Sequence, residues 1–271
     1  MAVQACKRRL LSYIVIQTIK NLPGVRLVRT WRYRRLFLNA TDKNLFMGVY
    51  PSLAAAAAAA PTSKPQGYDH SGAAAMYDER HGQLFDTDYP VLFWLQRFIH
   101  DVKTVFDFGG HRGIAYFTYK QHLSFEHLKA WIVYDVPAVV AAGKAMVEKK
   151  NLNQLRFSDD AHLAGAADLF FASGSLQYVD TPLEIAAGNG TPRHVVINML
   201  PVGRDGEFFT VQNIGTAFCP YHIYDEQKVV QAFTKLGYRL VDRWQNPGKI
   251  CHVPFEPKTA VDYVGFYFCR D

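Results

Sequence analysis

From about residue 89 onward, apolar residues come in two alternating patterns. Short unbroken blocks, which suit strands buried on both faces, fall at 104–108, 130–134, 155–157, 168–172, 195–199, 238–244 and 263–269. Between them lie stretches with apolar residues at helical spacing, at 89–98, near 113–122, at 137–150 and at 226–236. Strands separated by helices predict an α/β fold, a doubly wound and mostly parallel sheet covered by helices on both sides. The return from Trp244 to Tyr263 leaves no room for a crossover helix, so the last strand is expected to run antiparallel to its predecessor. Residues 201–225 show neither period and read as a long loop. No internal repeat is visible.

Upstream the pattern changes. Leu10, Leu11, Ile14, Val15, Ile19 and Leu22 share one helical face, which predicts an amphipathic helix ending near Pro23-Gly24. It is too short to span a bilayer, and no small-residue cleavage site follows it. Ser52 ahead of a run of alanines stopped by Pro61 predicts a short capped helix, and 62–72 is turn-rich. The expected organisation is a partly helical extension over 1–85 and a main domain over 86–271.

Charge sharpens this division. The 271 residues hold 30 basic and 24 acidic groups, yet nine of the basic ones fall in residues 1–40, which contain no Asp or Glu. The body is therefore mildly acidic, which argues against a nucleic-acid groove through it and leaves the arm as a surface for an anionic membrane face or a protein. Cys6, Cys219, Cys251 and Cys269 show neither disulfide nor zinc spacing. They read as reduced thiols of a cytoplasmic protein, with no metal site expected.

The chemistry-bearing segment is Val105-Phe106-Asp107-Phe108-Gly109-Gly110-His111-Arg112-Gly113. A strand ends in a glycine turn that opens a helix, where a nucleotide-bearing ligand approaches the backbone without meeting a Cβ. Asp135 closes the next strand 22 residues after Gly113, a position from which a carboxylate accepts hydrogen bonds from ribose hydroxyls. Phe108 stands where the dinucleotide fingerprint has its first glycine, and Asp107 would repel a pyrophosphate. A cationic cofactor suits that carboxylate better. Ser173-Gly174-Ser175-Leu176-Gln177-Tyr178 follows the fourth strand and faces the same crevice, so Ser173, Gly174 and Gln177 are further cofactor candidates. Phe157, with Asp159 or Asp160, is placed to flank and bond an adenine.

Together, Asp107-x-Gly-Gly-x-x-Gly113, Asp135 and the 173–178 segment resemble the class I S-adenosylmethionine-dependent methyltransferases. More narrowly, the chain resembles a bacterial family of uncharacterised methyltransferases through Gly48-Val-Tyr50, Phe106-Asp-Phe-Gly-Gly110, Phe209-Thr-Val-Gln-Asn-Ile214 and Cys219-Pro-Tyr-His-Ile223. His111 replaces the middle glycine of the class pattern. The resemblance implies a Rossmann-like domain and S-adenosylmethionine as cofactor for methyl transfer; it does not supply the acceptor, which is read as an oxygen or nitrogen of a small or glycan-like molecule. Such a transfer needs alignment more than a charged triad. Tyr50, Gln212, Asn213 and Tyr221 are the candidate acceptor-binding residues, and His222 is the candidate base. The competing readings are an NAD(P)-dependent oxidoreductase and a non-catalytic methyltransferase-like scaffold.

Overall fold

The computed structural model describes residues 22–70, 72, 80–180, 185–186 and 192–270. The amphipathic helix expected over 10–22 lies, but for Leu22, outside the described residues. The first described helix, α1 (Pro23–Asn39), begins where that helix was expected to end. Proline is at home in the first helical turn, because the N–H it lacks has no partner there and its φ is already helical. Pro23 therefore suits the opening of α1.

Next come strand β1 (Leu45–Tyr50) and helix α2 (Leu53–Ala59). As the sequence predicts, the Ser52 hydroxyl caps α2 by accepting the Ala55 N–H at 3.1 Å. The order then runs α3 (Tyr89–Phe98), β2 (Thr104–Phe108), α4 (Ile114–Tyr119), β3 (Ala130–Tyr134), α5 (Pro137–Lys150), β4 (Leu155–Ser158) and β5 (Leu169–Ser173). After β6 (His194–Gly203), β7 (Phe208–Asn213) and β8 (Phe218–Ile223) come α6 (Glu226–Lys235), β9 (Arg239–Gln245) and β10 (Val261–Cys269).

Seven strands form the main sheet in the order β4-β3-β2-β5-β6-β10-β9. The first five pair in parallel, and β10 runs antiparallel to both β6 and β9. Successive side chains of each strand point to opposite faces, and both faces are buried, which explains the unbroken apolar blocks. Val105, Trp131, Val133, Leu169 and Phe171 pack on one side with Val91 and Leu95 of α3. Phe106, Phe108, Phe170, Val195, Ile197 and Phe266 pack on the other with Val229 and Phe233 of α6. Asp107 is the charged exception in β2, 1% exposed on the first of these faces.

Residues 201–225 are not a loop. Within them, β7 and β8 join β1 in a second, three-stranded antiparallel sheet, β1-β7-β8. Its strand signal is blurred because Phe208-Phe209 breaks the alternation, and β1, the strand that pairs with β7, lies far upstream in the sequence. The pairing of Leu45 with Asn213 and Tyr50 with Phe209 stitches the extension to the body. Strand β6 also runs past its expected end. Leu200 faces Val264 and Ile197 faces Phe266, so Asn198 and Met199 bulge opposite Gly265, with Met199 at φ +53°.

Candidate functional site

Strand order reverses at β2, with β3 on one side and β5 on the other, and the carboxyl ends at such a point open a crevice. A cleft with about 600 Å³ of empty space, partly open to solvent, lies there. Asp107, Gly109, Gly110 and His111 line it, with Thr118 and Tyr119 of α4, Ser173 at the end of β5 and Met199 of the bulge. Arg80, Gln83, Phe85, Thr87 and Asp88 form the wall that precedes α3.

The turn is built to leave no side chains between Asp107 and the cleft. Gly109 adopts φ +66°, and its N–H bonds the Tyr134 carbonyl at 2.7 Å. A Cβ there would strike Ser175, whose hydroxyl donates to the Phe108 carbonyl at 2.5 Å. A Cβ on Gly110 would overlap the Asp107 carboxylate. Gly113, at φ +80°, sits where α4 begins.

Asp107 accepts a hydrogen bond from Trp131 Nε1 at 2.9 Å through Oδ2, and among the described residues Oδ1 has no donor. Burial pushes its carboxyl up to about 7, against the stabilising indole bond and with a further push from Asp135. Asp135 holds the turn in shape. Its Oδ2 accepts the His111 N–H and its Oδ1 the Val136 N–H, both at 2.8 Å, and burial still raises its pKa despite those bonds. Asp88 is also raised, by burial, although it accepts from the Phe85 N–H and from the Tyr119 hydroxyl at 2.9 Å. Three carboxylates thus gather in and around the cleft, each held above its ordinary range. Thr118, 2% exposed on the same wall, has a hydroxyl without a partner among the described residues.

The loop after β5 closes one side. Gly174 turns with φ +68°, and its carbonyl accepts the Gln177 side-chain amide at 2.6 Å. Asn198, 1% exposed in the bulge, ties the walls together. Its amide donates to the Thr87 carbonyl at 3.0 Å and to Ser173 Oγ at 3.3 Å, and its carbonyl accepts from Trp244 and Asn246.

Other sequence candidates are placed elsewhere. Phe157 is 5% exposed and packs in the core against Gly143 of α5. Asp159 is exposed just beyond β4. Tyr50, Gln212, Asn213, Tyr221 and His222 belong to the second sheet and do not line the cleft. Gln212 accepts from the Tyr178 hydroxyl, Tyr221 pairs with the Tyr263 hydroxyl, and Tyr50 folds over Gly48. Asn213 is a clamp: its amide donates to the Phe37 and Ala40 carbonyls, and its carbonyl accepts the Gly215 N–H. His222 stacks between Phe209 and Tyr224 with Nε2 at 2.6 Å from Glu207. Burial lowers its pKa, although Glu207 opposes the shift.

Sequence reasoning missed Asp88, Thr118, Tyr119 and Asn198. Only Asp88 carried a usable signal, as the last residue of Asp86-Thr87-Asp88 ahead of an apolar helix with proline in its first turn.

No family model matches the chain, and no curated protein matches it by sequence. Solved structures resemble it in shape. The Burkholderia thailandensis 1,6-didemethyltoxoflavin-N1-methyltransferase, solved with 1,6-didemethyltoxoflavin and S-adenosylhomocysteine, is 15% identical over 69% of this chain and 79% of its own, with a TM-score of 0.46. The Synechocystis magnesium protoporphyrin IX methyltransferase with S-adenosylhomocysteine is 12% identical over 75% and 96%, at 0.49. An S-adenosylmethionine-dependent methyltransferase from Clostridium acetobutylicum is 10% identical over 73% and 97%, at 0.44. At this distance the strand order of the chain itself has to decide. Counted along the main sheet alone it reads 3-2-1-4-5-7-6, with only the seventh strand reversed.

The fold is a doubly wound, Rossmann-like α/β sheet with one reversed strand. A classical dinucleotide sheet has the order 3-2-1-4-5-6 and no inserted antiparallel strand.

Proposed function

We propose that this chain binds S-adenosylmethionine in the cleft at β2 and transfers its methyl group to an oxygen or nitrogen of a small-molecule or glycan-like acceptor. One observation carries the reading. Asp107 is buried beneath a glycine that leaves no room for a Cβ, and its pKa is held near 7 with one oxygen lacking a protein donor. A carboxylate kept at that cost calls for a cationic partner, and the neighbouring Asp135 and Asp88 add to the negative field. A pyrophosphate in the same place would meet that charge, and α4, a six-residue helix, offers little dipole to offset it. The orphaned Thr118 hydroxyl fits a polar ligand as well.

When bound, S-adenosylmethionine supplies an activated methyl on a sulfonium. The roles of the chain follow from where its groups stand. Asp107, with Gly109, Gly110 and Gly113, would receive the cationic methionine end. Asp135 has lone pairs beyond those used by the backbone and would take the ribose hydroxyls. Asp159, exposed just beyond β4, would meet the adenine, and Ser173, which lines the cleft, would contact the cofactor together with the adjoining Gly174 and Gln177. Asp88, already bonded to Tyr119, is the cleft carboxylate suited to take a proton from a hydroxyl or amine acceptor. His222 is too enclosed by Glu207, Phe209 and Tyr224 for that task.

Calorimetry tests the reading. S-adenosylmethionine and S-adenosylhomocysteine should both bind, NAD should not, and Asp135→Ala and Gly110→Val should each weaken binding at least about tenfold. Heat from NAD alone would favour the oxidoreductase. Cofactor binding with no methyl transfer to any fraction of a cell extract would favour a non-catalytic scaffold.

A further inference from the structure

Helix α1 has two working faces. One holds it to the body. Phe37 is fully buried against Phe218, the Tyr33 hydroxyl donates to the Phe46 carbonyl at 2.8 Å, and Arg26 donates to the Phe255 carbonyl at 2.9 Å. Arg29 lies over the Phe255 ring, which also meets the edge of Tyr33. At about 100° per residue these side chains span one side of the helix. The opposite side carries Leu27, Val28 and Trp31, which are 71%, 55% and 61% exposed. Arg34 and Arg35 flank this stripe and Arg32 adjoins it, all three exposed, and the Arg35 guanidinium rests 5.9 Å from the Trp31 ring centre.

We propose that this outer face of α1 docks on the surface of an anionic lipid bilayer, with Leu27, Val28 and Trp31 in the headgroup zone and the arginines on lipid phosphates. Charge complementarity selects the occupant. Five arginines fall within residues 26–35, and the first acidic residue of the chain is Asp42, so α1 carries no carboxylate of its own. A lone apolar stripe edged by arginine suits the boundary between acyl chains and phosphates, where aromatic and aliphatic groups bury shallowly and cations stay wet. Among the described residues no helix is long and apolar enough to cross a membrane, and α1, about 26 Å long, would lie flat. Nucleic acid would engage the arginines but has no use for exposed Leu27 and Val28. A second copy of this chain would have to supply concentrated carboxylates, whereas the acidic excess of the body is small and spread out.

The experiment is flotation of the full chain with phosphatidylcholine vesicles, with and without about one quarter phosphatidylglycerol. The expected result is co-flotation with the anionic vesicles only, weakened by salt, with a blue shift in tryptophan emission that Trp31→Phe abolishes. Leu27→Ser with Trp31→Ser, and separately Arg32→Glu with Arg35→Glu, should each lower partitioning about tenfold or more while leaving the thermal midpoint and S-adenosylmethionine binding unchanged. Equal binding to neutral vesicles, partitioning that both double variants retain, or a dimer dispersed by the Trp31 substitution without any flotation would overturn the proposal. The last outcome would assign the face to a second copy. Because these variants leave the cleft intact, failure here does not bear on the proposed activity.

Discussion

At the scale of the residue, Asp107 sets the behaviour of the site. Its carboxyl titrates near 7 in the fold, against an ordinary value of 3.8. Between those values the folded protein keeps a proton that the unfolded chain releases, so stability falls as pH rises through that window, and the full cost is present above it. Asp107→Asn removes the cost. The unliganded variant should melt higher than the parent at pH 8 and close to it near pH 4, which a pair of melting curves will show. The same substitution should weaken S-adenosylmethionine at least about tenfold at pH 8, because the anion that answers the cation is gone. A variant with parental affinity would remove Asp107 from the site. For the parent, donor affinity should rise with pH up to about 7 and then level off. Asp107 stood out in the sequence as a charge inside an apolar strand, and Asp135 by its spacing from the turn. Thr118 and Asn198 did not stand out, because a polar residue in a helix or strand is ordinary until its surroundings are known.

At the scale of the element, the bulge in β6 controls what the cleft sees. It aims Met199 at the cleft and turns Asn198 inward to bridge Thr87, Ser173 and Trp244. Gly265 on β10 permits this, since a Cβ there would run into the Trp244 indole. Gly265→Ala should therefore cost about 1–3 kcal/mol through overpacking and shift Asn198, with loss of thermal stability and of donor affinity in the same variant. Unchanged affinity in a destabilised protein would show that the bulge is only structural. Most strands and helices of the main sheet were legible to within a residue or two, because a strand buried on both faces writes itself as an apolar block. The bulge was not, since it depends on β10, more than sixty residues downstream. The second sheet escaped for a similar reason: β7 and β8 form an ordinary hairpin, but the sheet is completed by β1.

At the scale of the whole molecule, the two sheets divide the labour. The main sheet presents the cleft, and the small sheet ties α1 and β1 to the body through Asn213, Tyr221 and His222. His222→Ala separates these duties. It removes the ring packed between Phe209 and Tyr224 and the bond to Glu207, and should cost about 1–3 kcal/mol of stability. Affinity for S-adenosylmethionine, measured where the variant is folded, should stay within about twofold of the parent. A large loss of affinity would mean that the small sheet reaches the donor. What the sequence determined by itself is what neighbours along the chain carry: the order of strands and helices in the main sheet, the glycine turn, the two aspartates beside it, and the concentration of cations before residue 40. Only the tertiary structure decided which of those groups meet. Burial raised Asp107 toward neutrality, the segment before α3 brought Asp88 to the cleft, and Tyr178, the end of α1 and Tyr263 drew Gln212, Asn213 and Tyr221 into internal bonds. Periodicity is a local property that short stretches of chain reveal, whereas desolvation and long-range pairing depend on partners that only the folded chain brings together.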